Sequence, residues 1–115
     1  MRTIPIKESL TIEFKSDKKK YSDADLVDEI VGMTNTKGGT LYLGVEDNGE
    51  VTGVHPKHKD AIGVTALIAN STVPSVSVRA EVITEEEKDV LKIEIPVSRT
   101  VVSTSSGKML RRRLK

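Results

Sequence analysis

The feature that most restricts what this chain can fold into is the run NTKGGTLYLGVEDNGEVTG at residues 35–53. Gly38-Gly39 reads as a tight turn that feeds a strand, in which Leu41, Leu43 and Val45 alternate with Thr40, Tyr42 and Glu46. Asp47-Asn48-Gly49 then reverses the chain. Asn-Gly suits a two-residue type I′ loop, because both central residues take positive φ and the turn's twist matches that of its strands. The run therefore predicts a hairpin. Gly44 and Gly53 remove side chains where a second backbone, or a ligand, can approach closely. Bulges and close packing explain such glycines as well as binding does.

The flanking elements follow from periodicity. Leu10, Ile12 and Phe14 alternate with Thr11, Glu13 and Lys15, the two-residue period of a half-buried strand. Ser16 to Lys20 breaks the pattern as a solvated loop. Ser22 with Asp25 three residues on resembles a capping box, and Leu26, Val27, Ile30, Val31 and Met33 supply an apolar helical face. Gly38 then stands where a helix C-terminus favours a left-handed residue. Pro56 can open a second helix through Asn70, which Pro74 ends. Val76, Val78, Ala80 and Val82, and after an acidic turn Leu91, Ile93, Ile95 and Val97, predict an antiparallel pair with Pro96 at a strand end or edge. Arg99 to Thr104 reads as a short strand. Lys108 to Arg113 reads as a last, basic one, and a chain that stops there looks like a domain excised from a longer protein.

The 115 residues fit one domain. With no cysteine there are no disulfides, thiolate metal sites or cysteine nucleophile, which fits a reducing cytosol. No apolar run is long enough to span a bilayer, so a soluble, cytoplasmic protein without a membrane partner is expected. Phe14, Tyr21 and Tyr42 are the only aromatics, which disfavours base stacking and favours duplex or shape recognition. The net charge of +1 hides a segregation. Lys15, Lys18, Lys19 and Lys20 form one basic cluster, and Lys108, Arg111, Arg112, Arg113 and Lys115 form another, while Glu81, Glu85, Glu86, Glu87 and Asp89 gather acid elsewhere. If the two basic clusters share a face, a near-neutral chain still presents a field that attracts phosphate.

Glu8 and Glu13 bracket the first strand and Asp47 sits at the hairpin turn. Three carboxylates brought together can hold a divalent cation that orients water and stabilises charge on a phosphodiester. Positions 8 and 13 of an uninterrupted strand face opposite sides, so the two converge only if Glu8 precedes the strand on a bend. The alternative is that Glu13 is an exposed residue paired with Lys15 and that Asp47 caps its own turn. His55 and His58 flank Pro56 without a third ligand nearby and read as surface histidines. Gly38-Gly39-Thr40 lacks the following Gly-Lys-Ser/Thr of a phosphate loop.

The motif Glu8-Ser9-Leu10-Thr11-Ile12-Glu13-Phe14-Lys15, a helix, and then residues 35–49 with Gly53, resembles the Schlafen-type AlbA-like domain over essentially the whole chain. The resemblance implies a compact α+β domain that binds DNA, found in bacterial transcriptional regulators, helicase-related proteins and divergent ATPases. In Schlafen proteins similar domains carry a metal-dependent endoribonuclease site on three acids. Matched by motif these are Glu8, Glu13 and Asp47, with Lys15 as a phosphate-contacting cation and Glu46 or Glu50 as rivals for the third acid.

The expectation is thus an α+β domain over residues 1–115, an antiparallel-rich mixed sheet with two helices, and the Gly38 to Gly53 hairpin, with its turn residues Gly38, Gly39, Asn48, Gly49 and Gly53, at its functional edge. Nucleic acid is the expected partner, contacted by Lys15, Lys18, Lys19, Lys20, Arg111, Arg112 and Arg113, with no cofactor needed for binding. The rival is a nuclease using Glu8, Glu13 and Asp47 with magnesium or manganese. A third reading is a nucleotide-sensing module, with ATP as its ligand and the glycine turn as an anion site. The rest of a longer polypeptide and a second copy in a homodimer are the other expected partners.

Overall fold

The structure, a computed structural model, describes residues 2–112. Among these residues six strands and two α-helices follow in the order β1 (Ile12–Lys15), α1 (Asp23–Thr34), β2 (Gly39–Leu43), α2 (Ala61–Asn70), β3 (Thr72–Val73), β4 (Arg79–Glu85), β5 (Lys88–Ile95) and β6 (Ser103–Thr104). A four-stranded mixed sheet has the order β1-β2-β5-β4, and β3 pairs with β6 in a small second sheet. The chain is α+β, as expected.

Parallel strands need a crossover, and α1 supplies it between β1 and β2. The helix starts where the capping pattern places it, with the Ser22 hydroxyl accepting from the Asp25 N–H at 3.1 Å. Its apolar face, including Leu26, Ile30 and Met33, packs with Leu41, Leu43, Leu91 and Ile93 on one side of the sheet, where Val64 and Ile68 of α2 complete the core. The opposite face carries a smaller cluster of Ile4, Phe14, Tyr42, Val45, Val51 and Val90. Phe14 and Tyr42 are partners in register and meet edge to face, 6.1 Å between ring centres.

Several expectations change. The glycine-rich strand β2 lies inside the sheet, between β1 and β5, rather than at a functional edge. Its expected hairpin is reduced to a single bridge between Val45 and Val51. The Glu46 N–H donates to the Glu50 carbonyl and the Gly49 N–H to the Glu46 carbonyl, each at 2.8 Å, so the loop has three residues with Gly49 at φ 89°. That is a longer loop closed by a left-handed glycine instead of a two-residue Asn-Gly turn. The tight two-residue turn is at Glu86 and Glu87, with φ of 52° and 64°, between β4 and β5. Pro56 opens only a short 3₁₀ turn, Pro56–Lys59, and α2 begins after its own cap, Asp60. Strand β3 follows α2 before Pro74 is reached. Residues 108–112 form no strand, so the last basic stretch is irregular chain. Pro96 follows the last residue of β5, as expected.

Gly39 shows why the motif needs glycines. Its φ is +130°, and a Cβ there would collide with the Thr11 carbonyl. Gly38 is similarly enclosed by Ile95 and Val97. The close approach these glycines permit is to the chain's own backbone.

Candidate functional site

Glu8 and Glu13 do converge, by the bend that strand parity demands. Ser9 and Ile12 exchange backbone hydrogen bonds of 2.9 and 3.3 Å, which folds the chain back just before β1. Glu8 then reaches along the strand, its Oε2 accepting from the Phe14 N–H at 3.0 Å. Glu13 projects from the helix-covered side of β1, where Glu29 of α1 and the Arg112 guanidinium meet it. Together with Lys15 and Asp47 these groups line a cleft of about 670 Å³. Asp28 and Arg111 complete its charged wall.

Arg112 is the hub. Its Nε donates to the Leu10 carbonyl and its Nη2 to the Ser9 carbonyl, both at 2.8 Å, while Nη1 pairs with Glu13 and, at 3.4 Å, with Glu29. The side chain is only 9% exposed. Its backbone N–H donates to the Thr36 hydroxyl at 2.8 Å, which ties the C-terminal segment across α1. The structure thus gives Arg112 an interior role instead of the phosphate contact expected of it. Lys15 Nζ lies 3.5 Å from Glu29, 4.0 Å from Glu13 and 5.8 Å from the centre of the Tyr21 ring.

These neighbours drive the carboxyl groups apart. Burial, the hydrogen bond with Glu13, and the charges of Glu13 and Asp47 push the Glu8 carboxyl up to about 7, against the opposing Phe14 N–H. Burial would also raise Glu13, but hydrogen bonds from Glu8 and Arg112 and the charges of Lys15 and Arg112 outweigh it and hold Glu13 below the usual carboxylate range. Glu29 is raised, by burial first and by Glu13, despite Lys15 and Arg112. The two neighbouring carboxyls are therefore pushed in opposite directions, Glu8 upward and Glu13 downward.

In chemical kind the oxygen donors Glu8, Glu13 and Asp47 suit magnesium or manganese. Their arrangement does not. Arg112 already pairs with Glu13 and Glu29, Glu8 uses an oxygen on the Phe14 amide, and no three acidic or histidine side chains among the described residues are gathered closely enough to hold a metal ion. Of the rivals for the third acid, Glu46 accepts from the Thr52 hydroxyl and pairs with Lys18 at 3.8 Å, and only Asp47 lines the cleft.

The basic loop is held from beneath by Asp17. This buried carboxylate accepts from the Tyr21 N–H, the His55 N–H and Nδ1 of His58, each at 2.7 Å. His58, read from sequence as a surface residue, is 3% exposed, and nothing in its spacing signalled a partner 41 positions away. The anchored loop leaves Lys18, Lys19 and Lys20 exposed, with Lys20 Nζ 3.5 Å from Asp23. Arg111 is exposed, and Arg113 lies outside the described residues. The glycine turn offers little to an anion, since the Gly38 N–H donates to the Met33 carbonyl at 2.7 Å. Asn48 caps its own loop, its Oδ1 accepting from the Glu50 N–H at 2.9 Å, and Gly53 (φ 91°) bonds back to the Gly44 carbonyl.

Among the described residues, no helix is long and apolar enough to cross a membrane. Two solved structures share the fold. The DIP2311 protein from Corynebacterium diphtheriae superposes with a TM-score of 0.72 at 21% identity, over 90% of this chain and 23% of that one. The N-terminal domain of a helicase RecG-related protein from Nitrosomonas europaea does so with a TM-score of 0.66 at 18% identity, over 94% of this chain and 81% of that one. The chain therefore spans about a quarter of the Corynebacterium protein's length and most of the Nitrosomonas domain's. The Schlafen, AlbA_2 family pattern matches residues 8–115, a span that includes the bent Glu8 to Lys15 segment and the glycine-braced β2, and the chain belongs to that family.

Proposed function

We propose that this chain is a nucleic-acid-binding domain that holds phosphates with the exposed Lys18, Lys19 and Lys20 of the loop that follows β1 and with Arg111 of the cleft, Lys15 lying in the same cleft. The observation that carries this reading is that one cleft is lined by Lys15 from the first basic cluster and by Arg111 from the second. Segregated charge becomes a shared face only through folding, and a shared face attracts a polyanion where net charge of +1 does not. The cleft lining also carries Glu8, Glu13, Asp28, Glu29 and Asp47, so the phosphate contacts of this reading fall to Arg111 and to the exposed loop lysines rather than to the acidic lining. Its place as the recognition domain of a helicase-related protein is supported by the likeness to an N-terminal domain of a RecG-related protein; a place in a transcriptional regulator is the alternative.

Fluorescence anisotropy with labelled duplex DNA, single-stranded DNA and hairpin RNA, in EDTA and over a salt series, tests the reading. Four phosphate contacts give a log–log slope of about −3 to −4. No binding to any of the three at low salt would refute it.

A second reading, a metal-dependent endoribonuclease, is favoured by one observation: folding brings the three acids Glu8, Glu13 and Asp47 to the lining of one cleft. Because Arg112 occupies Glu13, this reading requires that a metal compete with the guanidinium. Manganese-dependent thermal stabilisation that Glu13→Gln abolishes, together with RNA cleavage, would favour it over binding alone.

A further inference from the structure

Beyond the acidic cleft, and joined to it at Arg111, is a second groove of about 290 Å³. Among the described residues its only charged lining side chains are Arg99 and Arg111, both exposed, and neither guanidinium has an ion-pair or hydrogen-bond partner there. This contrasts with Arg112 next in the chain, whose guanidinium is fully engaged. The groove is also built. Asn35 spans its base, with Nδ2 donating to the carbonyls of Val102 and Leu110 and Oδ1 accepting from the Val102 N–H, each at 2.8 Å. One side chain therefore fixes the spacing of the wall that carries Arg99 and the wall that carries Arg111. The Arg99 wall is further stiffened by a turn in which the Ser98 hydroxyl donates to the Thr100 carbonyl at 2.7 Å. Beside the arginines stand two large apolar side chains, Val101 at 67% and Met109 at 70% exposure.

We propose that Arg99 and Arg111 form a phosphate subsite for a single-stranded nucleic-acid segment, whose adjoining base lies against Val101 and Met109. This rests on the reading of the chain as a nucleic-acid-binding domain and extends it to a residue, Arg99, and a strandedness. Two unpaired guanidiniums on a braced groove are pre-organised for the planar, two-point contact that phosphate oxygens offer. The apolar pair decides the strandedness. A duplex presents its phosphates outward with its bases stacked inside, and leaves Val101 and Met109 facing sugar and water. An unpaired segment brings a base face to them. In this chain, where aromatic residues are scarce, Val101 and Met109 supply the apolar contact that stacking aromatics supply elsewhere.

The test compares the whole chain with Arg99→Ala, with Val101→Ser/Met109→Ser, and with Lys57→Ala as a control that removes an equal charge from an exposed site outside both grooves. Binding of single-stranded and duplex DNA of one sequence is read by anisotropy over a salt series, and each variant's melting temperature is measured alongside. Arg99→Ala is expected to weaken single-strand binding about five- to tenfold near physiological salt and to reduce the salt slope by about one, with unchanged melting temperature. The double serine variant should lower single-strand affinity without altering the slope, and Lys57→Ala should change little. If the wild type binds and Arg99→Ala matches it, or loses no more than Lys57→Ala, the subsite is wrong while the nucleic-acid reading stands. Equal losses on duplex and single strand would overturn the single-strand assignment. A wild type that binds neither would overturn both readings.

Discussion

Removing the Arg112 side chain is the sharpest test of how the cleft is built. Arg112→Ala deletes the hydrogen bonds to the carbonyls of Ser9 and Leu10 and leaves Glu13, whose side chain is 10% exposed, without its main counter-charge. Breaking a buried pair by removing one partner costs about 3–5 kcal/mol. Two features place this case at the low end. Lys15 stays 4.0 Å from Glu13 and 3.5 Å from Glu29, and Glu13 can take up a proton once the guanidinium is gone. The expected loss is about 3 kcal/mol at pH 7, a fall in melting temperature of roughly 12 °C for a domain of this size. The sign with pH follows from Glu13. In the wild type its lowered carboxyl contributes stability above the ordinary carboxylate range, and that contribution disappears as the pH falls through its folded value. The variant lacks it, so the gap should narrow in acid. Urea unfolding followed by circular dichroism at pH 7 and pH 4 measures both effects. Arg112→Lys should recover only part of the loss, since an ammonium cannot fork between two carbonyls and two carboxylates. A loss under about 0.5 kcal/mol at pH 7, or a gap independent of pH, would refute the buried-hub account.

Three further outcomes follow from the same geometry. Glu8→Gln replaces a carboxyl whose folded value is raised to about 7, so wild-type stability should fall as the pH rises from about 4.5 to 7, where only the folded state still holds the proton, and the variant should lose that slope in urea titrations. Glu86→Asn with Glu87→Gly puts turn-compatible residues at φ of 52° and 64° and should raise stability by about 1 kcal/mol, read as a higher melting temperature; a lower one would show that the glutamates are not strained there. Asp17→Ala strands the N–H groups of Tyr21 and His55 and the His58 ring, and should cost on the order of 3 kcal/mol in chemical denaturation while weakening nucleic-acid binding through the loosened Lys18 to Lys20 loop.

Local physics made much of the architecture legible. The alternation around Phe14 and the Ser22 cap with the apolar face of α1 depend on neighbours within a few positions and stand where their patterns placed them, whereas the expected antiparallel pair forms with shifted bounds: β4 begins at Arg79, after Val76 and Val78, and runs to Glu85, and β5 spans Lys88–Ile95, short of Val97. The 35–53 run misled for the same reason. Asn48-Gly49 carries the sequence preference of a two-residue turn, but β2 is claimed on both sides by β1 and β5, so the chain beyond Val45 has no ladder left to extend a hairpin. Glu86-Glu87 carries no such preference and makes the tight turn because the β4–β5 register leaves two residues to close it.

The candidate site divides in the same way. By itself the sequence determined which chemistry was present: two carboxylates flanking the first strand, two basic clusters, a glycine motif without a phosphate loop, and a strand parity that required Glu8 to sit on a bend. Only the tertiary structure decided how those groups are used. Arg112 meets Glu13 across 99 positions and Glu29 across 83, turning one member of a basic cluster into an internal counter-charge, while its neighbour Arg111 stays exposed where two grooves join. His58 finds Asp17 and becomes an anchor. Periodicity reports which face a residue occupies, because backbone geometry repeats over a few residues. Which charges meet is settled by packing between distant segments, where desolvation makes each pairing either necessary or prohibitive.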